Sequence, residues 1–314
     1  MAPHPPTGQA CGMQRTRLLP AVAAATLAIG AVVGVACGDD GADPGARTTT
    51  SEATGPTTTT TTLPATGKTI IVSGSVLVGW WDGSRWLDSE AGAPTHIAGG
   101  EDYTVVRLDQ PLTTSRGSAV GPQDEFCTGP KLTLSPGFPD SSPGQPWPVA
   151  VHGVADPRPR PVTLLDTSAD AYRDAARDVL ADLGIEEDDP QLAQVVRADL
   201  SGDGSDDVLV VVEQIADPRA LFAQPGDYSA AFLRQVVDGE VRTTTIAHDR
   251  SESTPDVPSA YIVQTRIAAL ADLNGDGVLE VVVDHRYYEG SSTEIHALDS
   301  DGRLKAVMAA GCGV

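Results

Sequence analysis

The chain is expected to be mainly β, and three observations carry that expectation. Short β-branched runs, punctuated by Asp-Gly pairs, fill most of the 314 residues beyond a low-complexity front end. From residue 192 onward one order of elements occurs twice: strand, acidic loop, strand, strand, Asp-Gly turn, strand. Only one stretch, 168–184, has the periodicity of an amphipathic helix.

The first element, from Lys68, reads "TIIVSGSVLVGWWDGSRWL" and is strand-like, with Asp82-Gly83 marking a hairpin. "EDYTVVRL" is the next strand. Residues 109–161 are rich in Pro, Gly and Ser, which predicts loops with short strands. The helix follows, with Ser168 as its cap, Ala171, Ala175, Val179 and Leu183 as its apolar stripe, and Gly184 as its end. "QLAQVVRAD" then leads into the first acidic loop and "VLVVVEQI" leaves it. "YSAAFLRQVV" and "VRTTTIAH" flank Asp238-Gly239. The second round has "YIVQTRIAALAD", the second loop, "VVVDHRYY", and then "TEIHAL" and "RLKAVMA" around Asp301-Gly302. Four antiparallel strands in a unit of about 70 residues is the arrangement of a propeller blade. The expected fold is therefore mainly β, with propeller-like four-stranded antiparallel blades and one inserted helix; whether the blades close into a ring is left open.

The front end is expected to direct export. Arg15 and Arg17 precede the apolar run 18–36, and Cys37 follows Val35 and Ala36. This stretch resembles a bacterial lipoprotein signal peptide, which implies lipidation of Cys37 and anchorage to the outer face of the cell membrane. An uncleaved spanning helix is the competing expectation, since nineteen largely apolar residues are long enough to cross. Residues 38–67 hold eleven threonines and almost nothing apolar, so they cannot offset the entropy of ordering and act as a tether spanning roughly 30 Å. The expected divisions are 1–37 leader, 38–67 linker, 68–161 N-terminal β region, and 162–314 helix plus two repeats. Cys127 and Cys312 are the two cysteines beyond the leader, and in an oxidising compartment they are expected to pair as a disulfide.

Formal net charge is −22. Such a surface argues against nucleic acid and anionic lipid headgroups as partners and suits divalent cations. The charge is densest in "ADLSGDGSDDVLV" (198–210) and "ADLNGDGVLEVVV" (271–283). Alternate positions supply Asp199, Ser201, Asp203, the Ser205 carbonyl and Asp207 in one loop. The other supplies Asp272, Asn274, Asp276, the Val278 carbonyl and Glu280. A turn directing those positions inward makes an all-oxygen cage of the kind Ca²⁺ requires, and Gly204 and Gly277 permit the bend. The twelfth position is Val210 or Val283 where an EF-hand needs an acid, and a strand follows instead of a helix. Both loops resemble the D-x-[DN]-x-D-G-x-x-D loops of FG-GAP and VCBS repeats in integrin-type β-propellers, over roughly residues 192–309. That resemblance implies Ca²⁺ bound at two sites by the ten residues just named.

No nucleophile elbow, HExxH run, phosphate loop or redox CxxC occurs in the sequence. His96, His152, His248, His285 and His296 are scattered, with cross-strand packing the expected role of His285. The surface candidates are "HRYYEG" (285–290), in which one of Tyr287 and Tyr288 must face outward, and Trp80, Trp81 and Trp86, for which hairpin packing is the simpler expectation. The functional expectation is a lipid-anchored, calcium-binding module of the cell envelope with a binding or structural role and a protein or glycan ligand. The alternative is an extracytoplasmic polysaccharide hydrolase or lyase using acidic residues and calcium.

Overall fold

A computed structural model describes residues 68–89, 94, 97–108, 110–138, 145–251 and 261–313. The leader with Cys37, the linker, and His96 lie outside the described residues. The fold is mainly β with antiparallel sheets.

The first sheet has seven strands: β1 (Thr69–Ser73), β2 (Val76–Trp81), β3 (Trp86–Asp88), β4 (Asp102–Val106), β5 (Thr113–Gly117), β6 (Leu134–Ser135) and β7 (Val149–His152). Their spatial order is β3-β2-β1-β7-β4-β5-β6. The sheet curls so that one face buries Ile70, Val72, Leu77, Tyr103 and Val105 in a core of its own. Asp82-Gly83 does open a hairpin, pairing Trp81 with Trp86. A second hairpin was hidden in the apolar run: Gly74, at φ +57°, lets Ser73 turn back to pair with Val76.

The second sheet holds β8 (Thr163–Leu164), β9 (Leu192–Ala198), β10 (Asp207–Gln214), β11 (Tyr228–Val237) and β12 (Glu240–Arg250), ordered β12-β11-β10-β9-β8. The third is a four-strand meander of β13 (Gln264–Ala271), β14 (Glu280–Tyr287), β15 (Gly290–Leu298) and β16 (Leu304–Gly313). The two predicted rounds thus form as consecutive antiparallel pairings, the first gaining β8 as an unforeseen edge. Asp238 and Gly239 both take positive φ (55° and 82°), the geometry a two-residue hairpin between Val237 and Glu240 requires.

The third sheet is covered on both faces. Val282, Ile295 and Met308 pack with Ile71, Val106 and Val149 of the first sheet, whereas Val281, Val283 and Leu270 pack with Val196, Leu209 and Leu233 of the second. That is why "VVV" in β14 is continuously apolar: alternate side chains point to opposite faces and both faces are dry.

The helix α1 (Asp170–Asp182) seals the outer face of the second sheet, setting Ala176, Val179 and Leu180 against Val195, Val210 and Phe232. Its details correct the sequence reading. The N-cap is Ala169, with no side-chain cap, because Ser168 is drawn into a turn in which its N–H donates to Asp166 Oδ1 at 2.7 Å. Ala171 is exposed, and the buried stripe is rotated onto Ala176 and Leu180. Gly184 (φ +74°) does end the helix. Its N–H donates to the Ala181 carbonyl and that of Ile185 to Leu180, closing a Schellman motif.

Cys127 and Cys312 form the expected disulfide across 185 residues of sequence. It reinforces main-chain bonds from Thr128 N–H to the Gly311 carbonyl and from Gly313 N–H to the Phe126 carbonyl. A loop of that length restricts the unfolded chain by about 5 kcal/mol in the chain-entropy model. The double variant Cys127→Ser/Cys312→Ser should therefore unfold at a clearly lower urea concentration; an unchanged midpoint would show that the bridge adds nothing.

Candidate metal centres

Each acidic loop joins two neighbouring strands of one meander, β9 to β10 and β13 to β14, and the two loops are built alike. Asp199 Oδ1 accepts from the N–H groups of Gly202 (2.7 Å) and Asp203 (3.2 Å), and its Oδ2 accepts from Gly204 (3.0 Å). Asp272 does the same with Gly275 (2.7 Å), Asp276 (3.2 Å) and Gly277 (2.9 Å). Asp203 Oδ1 accepts from Ser205 N–H, as Asp276 Oδ1 does from Val278 N–H, at 2.7 and 2.8 Å. The last acid reaches back in both: Asp207 Oδ2 to Leu200 N–H at 3.1 Å, Glu280 Oε2 to Leu273 N–H at 2.7 Å. Four glycines at φ between 79° and 88° (Gly202, Gly204, Gly275, Gly277) make the winding possible, since a Cβ is strained there.

The structure also brings the two loops together, which the linear sequence did not reveal. Leu279 N–H of the second donates to the Leu200 carbonyl of the first at 2.8 Å. Leu200, Leu273 and Leu279 are fully buried and pin the loops to the core. A strap before β8 holds both: Arg160 donates through Nε to the Asp199 carbonyl (2.7 Å) and through Nη2 to that of Leu200 (3.0 Å), while Asp272 N–H donates to the Pro157 carbonyl (2.9 Å).

The loops differ in their electrostatics. Arg160 Nε lies 4.0 Å from Asp199 Oδ2 and partly compensates the first loop, whose Ser201, Asp203 and Ser205 are exposed. In the second, Asp272 and Glu280 are buried, and the charges acting on Glu280 are the acids Asp276 and Asp272. Burial pushes Asp207 up to about 6, helped by Asp203 and Asp199, and lifts Asp272 and, further, Glu280 above the ordinary carboxylate range.

Among the described residues no three His, Cys, Asp or Glu side chains already converge as a metal-holding group. The acids are instead strung along each turn, their oxygens taken by the turn's own N–H groups. Asn274 follows suit, donating through Nδ2 to Asp276 Oδ2 at 2.9 Å. The donor set remains all-oxygen, short of cationic partners and partly buried, which fits a hard divalent ion.

Elsewhere the hairpin expectation for the tryptophans agrees with the packing, Trp81 lying 4.9 Å from Trp86 between ring centroids. Tyr288 is the outward tyrosine of its pair, and Tyr287 is half-buried, with its hydroxyl 3.5 Å from the Cys312 carbonyl. Histidines scattered in sequence meet in space: the Nε2 atoms of His285 and His296 lie 3.5 and 3.0 Å from Glu294 Oε2, holding that carboxyl far below its usual range. The signal was the E-x-H alternation on β15, where Glu294 pairs with Val283, two residues from His285 on the same face of β14.

A carboxyl whose pKa is raised by folding favours the folded state while protonated. That contribution is complete below the unfolded carboxylate value near 4 and, for Asp207, is lost as pH rises through about 6. In EDTA, Asp207→Asn should therefore gain melting temperature relative to the parent between pH 4 and 6.5, and parallel curves would refute the burial effect.

No protein-family model, curated protein or solved structure matches this chain.

Proposed function

We propose that the protein is a lipid-anchored, extracytoplasmic calcium-binding module of the cell envelope, with a binding or structural role. In this reading the two meanders are propeller-type blades of the FG-GAP/VCBS kind. One observation carries it: two loops of different sequence hold the same pattern of carboxylate-to-backbone bonds, and each gathers three acids at a strand entrance. The backbone bonds offset part of the cost of that charge, but burial without a counter-ion still disfavours the ionised form of Asp207, Asp272 and Glu280.

Asp199, Ser201, Asp203, Asp207 and the Ser205 carbonyl would hold one Ca²⁺; Asp272, Asn274, Asp276, Glu280 and the Val278 carbonyl would hold the other. A bound Ca²⁺ would neutralise the carboxylates and lock each turn. Extracellular modules bind calcium at about 10⁻⁴–10⁻³ M. At a calcium concentration ten times Kd, each site would add about 1.4 kcal/mol to stability. The deeper, less compensated second loop is the tighter site. Among the described residues, which do not include the leader, no helix is long and apolar enough to cross a membrane. In this reading the lipid on Cys37 and the 38–67 tether carry the anchorage.

Equilibrium dialysis of the full-length protein in detergent should find two Ca²⁺ per chain. Asp203→Ala and Asp276→Ala should each remove one, the second variant removing the tighter; equal stoichiometry in all three proteins would reject the assignment. Cys37→Ser should shift the protein from the membrane to the soluble fraction, whereas retention would favour a spanning leader.

A further inference from the structure

At the end of β14 remote from the second acidic loop, two cavities run together. One, of about 390 Å³, lies between the Ser73–Val76 turn and β15–β16; the other, of about 300 Å³, lies beside Arg219 and Tyr288. Trp147 and Ser291 line both, so the two adjoin with Trp147 between them and together make the candidate groove. Each half is within or near the size of small-molecule sites.

The groove has an aromatic rim. Phe222, Tyr261 and Tyr288 are 45%, 43% and 42% exposed, yet they pack on one another. Tyr261 and Tyr288 are parallel within 2° at 4.8 Å, and Phe222 lies 4.4 Å from Tyr288. Three large rings assembled in solvent form an apolar patch of the kind that marks a contact surface. The walls mix hydroxyls with apolar side chains: Ser75, Thr133, Ser291 and Ser292 line the larger half beside Val76, Leu134 and Phe138. In the smaller half Gln264 is 1% exposed, and its Oε1 accepts no hydrogen bond among the described residues. Its Nε2 donates to Glu213 Oε2 at 3.3 Å. Arg219 is exposed at the mouth, and the Arg286 guanidinium lies 5.7 Å from the Trp147 ring centre, anchored 3.8 Å from buried Asp284.

We propose that this groove binds an acidic oligosaccharide. Trp147 and Tyr288 line the groove as aromatic contacts for the apolar faces of sugar rings. Ser75, Thr133, Ser291 and Ser292 carry hydroxyls that both donate and accept, as sugar hydroxyls do, whereas those of Ser73 and Thr293 bond to each other at 2.8 Å. Arg219 and Arg286 face the carboxylate of a uronic acid, two cationic groups concentrated on a strongly acidic chain. A peptide fits less well. Its usual route, adding a strand to a sheet edge, is closed: β15 is paired on both sides, and the outer edge of β16 beside the groove already bonds to residues 126–128. The inference deepens the binding role proposed above and rests on that reading, although the groove uses none of the calcium ligands.

The test is calorimetric titration of the full-length protein in detergent and calcium with a tetrasaccharide of alternating glucuronate and N-acetylglucosamine. Neutral cellotetraose and a Thr/Pro-rich peptide serve as comparisons. The acidic sugar should bind, with cellotetraose weaker by about tenfold or more. Tyr288→Ala and Arg219→Gln should each weaken it on the order of tenfold, without changing the melt or the calcium stoichiometry. No binding of the acidic sugar, an affinity unchanged from the parent in both variants, or binding of the peptide alone would overturn the inference. Two bound calcium ions with no sugar binding would sink this proposal alone; sugar binding with no calcium would sink the calcium reading alone.

Discussion

The burial of β13 between two sheets is the constraint on which the other features depend. As an edge strand, β13 carries main-chain groups that its own sheet cannot pair, and the second sheet supplies partners from side chains. Gln194 Oε1 accepts from Ile267 N–H at 2.8 Å while its Nε2 donates to the Ile267 carbonyl at 3.1 Å, and Ser229 Oγ accepts from Thr265 N–H at 3.1 Å. Each such group left unpaired would cost roughly 1–3 kcal/mol. Arg266, nearly buried, is matched by a two-pronged pairing with Glu213. These bonds fix the register between the meanders in a way that apolar packing alone does not.

Once β13 is seated, the acidic loops have nowhere to go but together. The second loop begins where β13 ends, and the first begins where β9 ends, on the strand that carries Gln194. The Leu279-to-Leu200 bond follows from that alignment. Two concentrations of negative charge therefore share one end of the molecule, with Arg160 the cation seen between them. Apolar burial of Leu200, Leu273 and Leu279 outweighs that repulsion in forming the loops, and the raised carboxyl groups record what is left unrelieved.

The same strand that starts in charge ends in aromatics. β14 opens at Glu280 in the second loop and closes at Tyr287, a run of eight residues spanning about 25 Å. Tyr288 lies just beyond, at the rim of the groove. The second acidic loop and the candidate sugar site thus lie at opposite ends of β14. That rigid spacing keeps their chemistries apart, and the disulfide at Cys312 closes the groove side of the assembly.

Much of this was written locally. The acidic loops, the Asp-Gly hairpins and the apolar doublets of β10 and β14 depend on residues a few positions apart, where turn geometry and period-2 patterning act directly. Gly74 and β8 were missed for the same kind of reason, one masked by an unbroken apolar run and the other only two residues long. Ser168 misled because its backbone had a better local partner in Asp166. The tertiary structure alone decided the rest: the contact between the loops, the meeting of His285, His296 and Glu294, and the joining of Trp147, Gln264, Arg219 and Tyr288 around one groove. Those residues lie tens of positions apart, and what brings them together is the face-to-face packing of sheets, which no local pattern encodes.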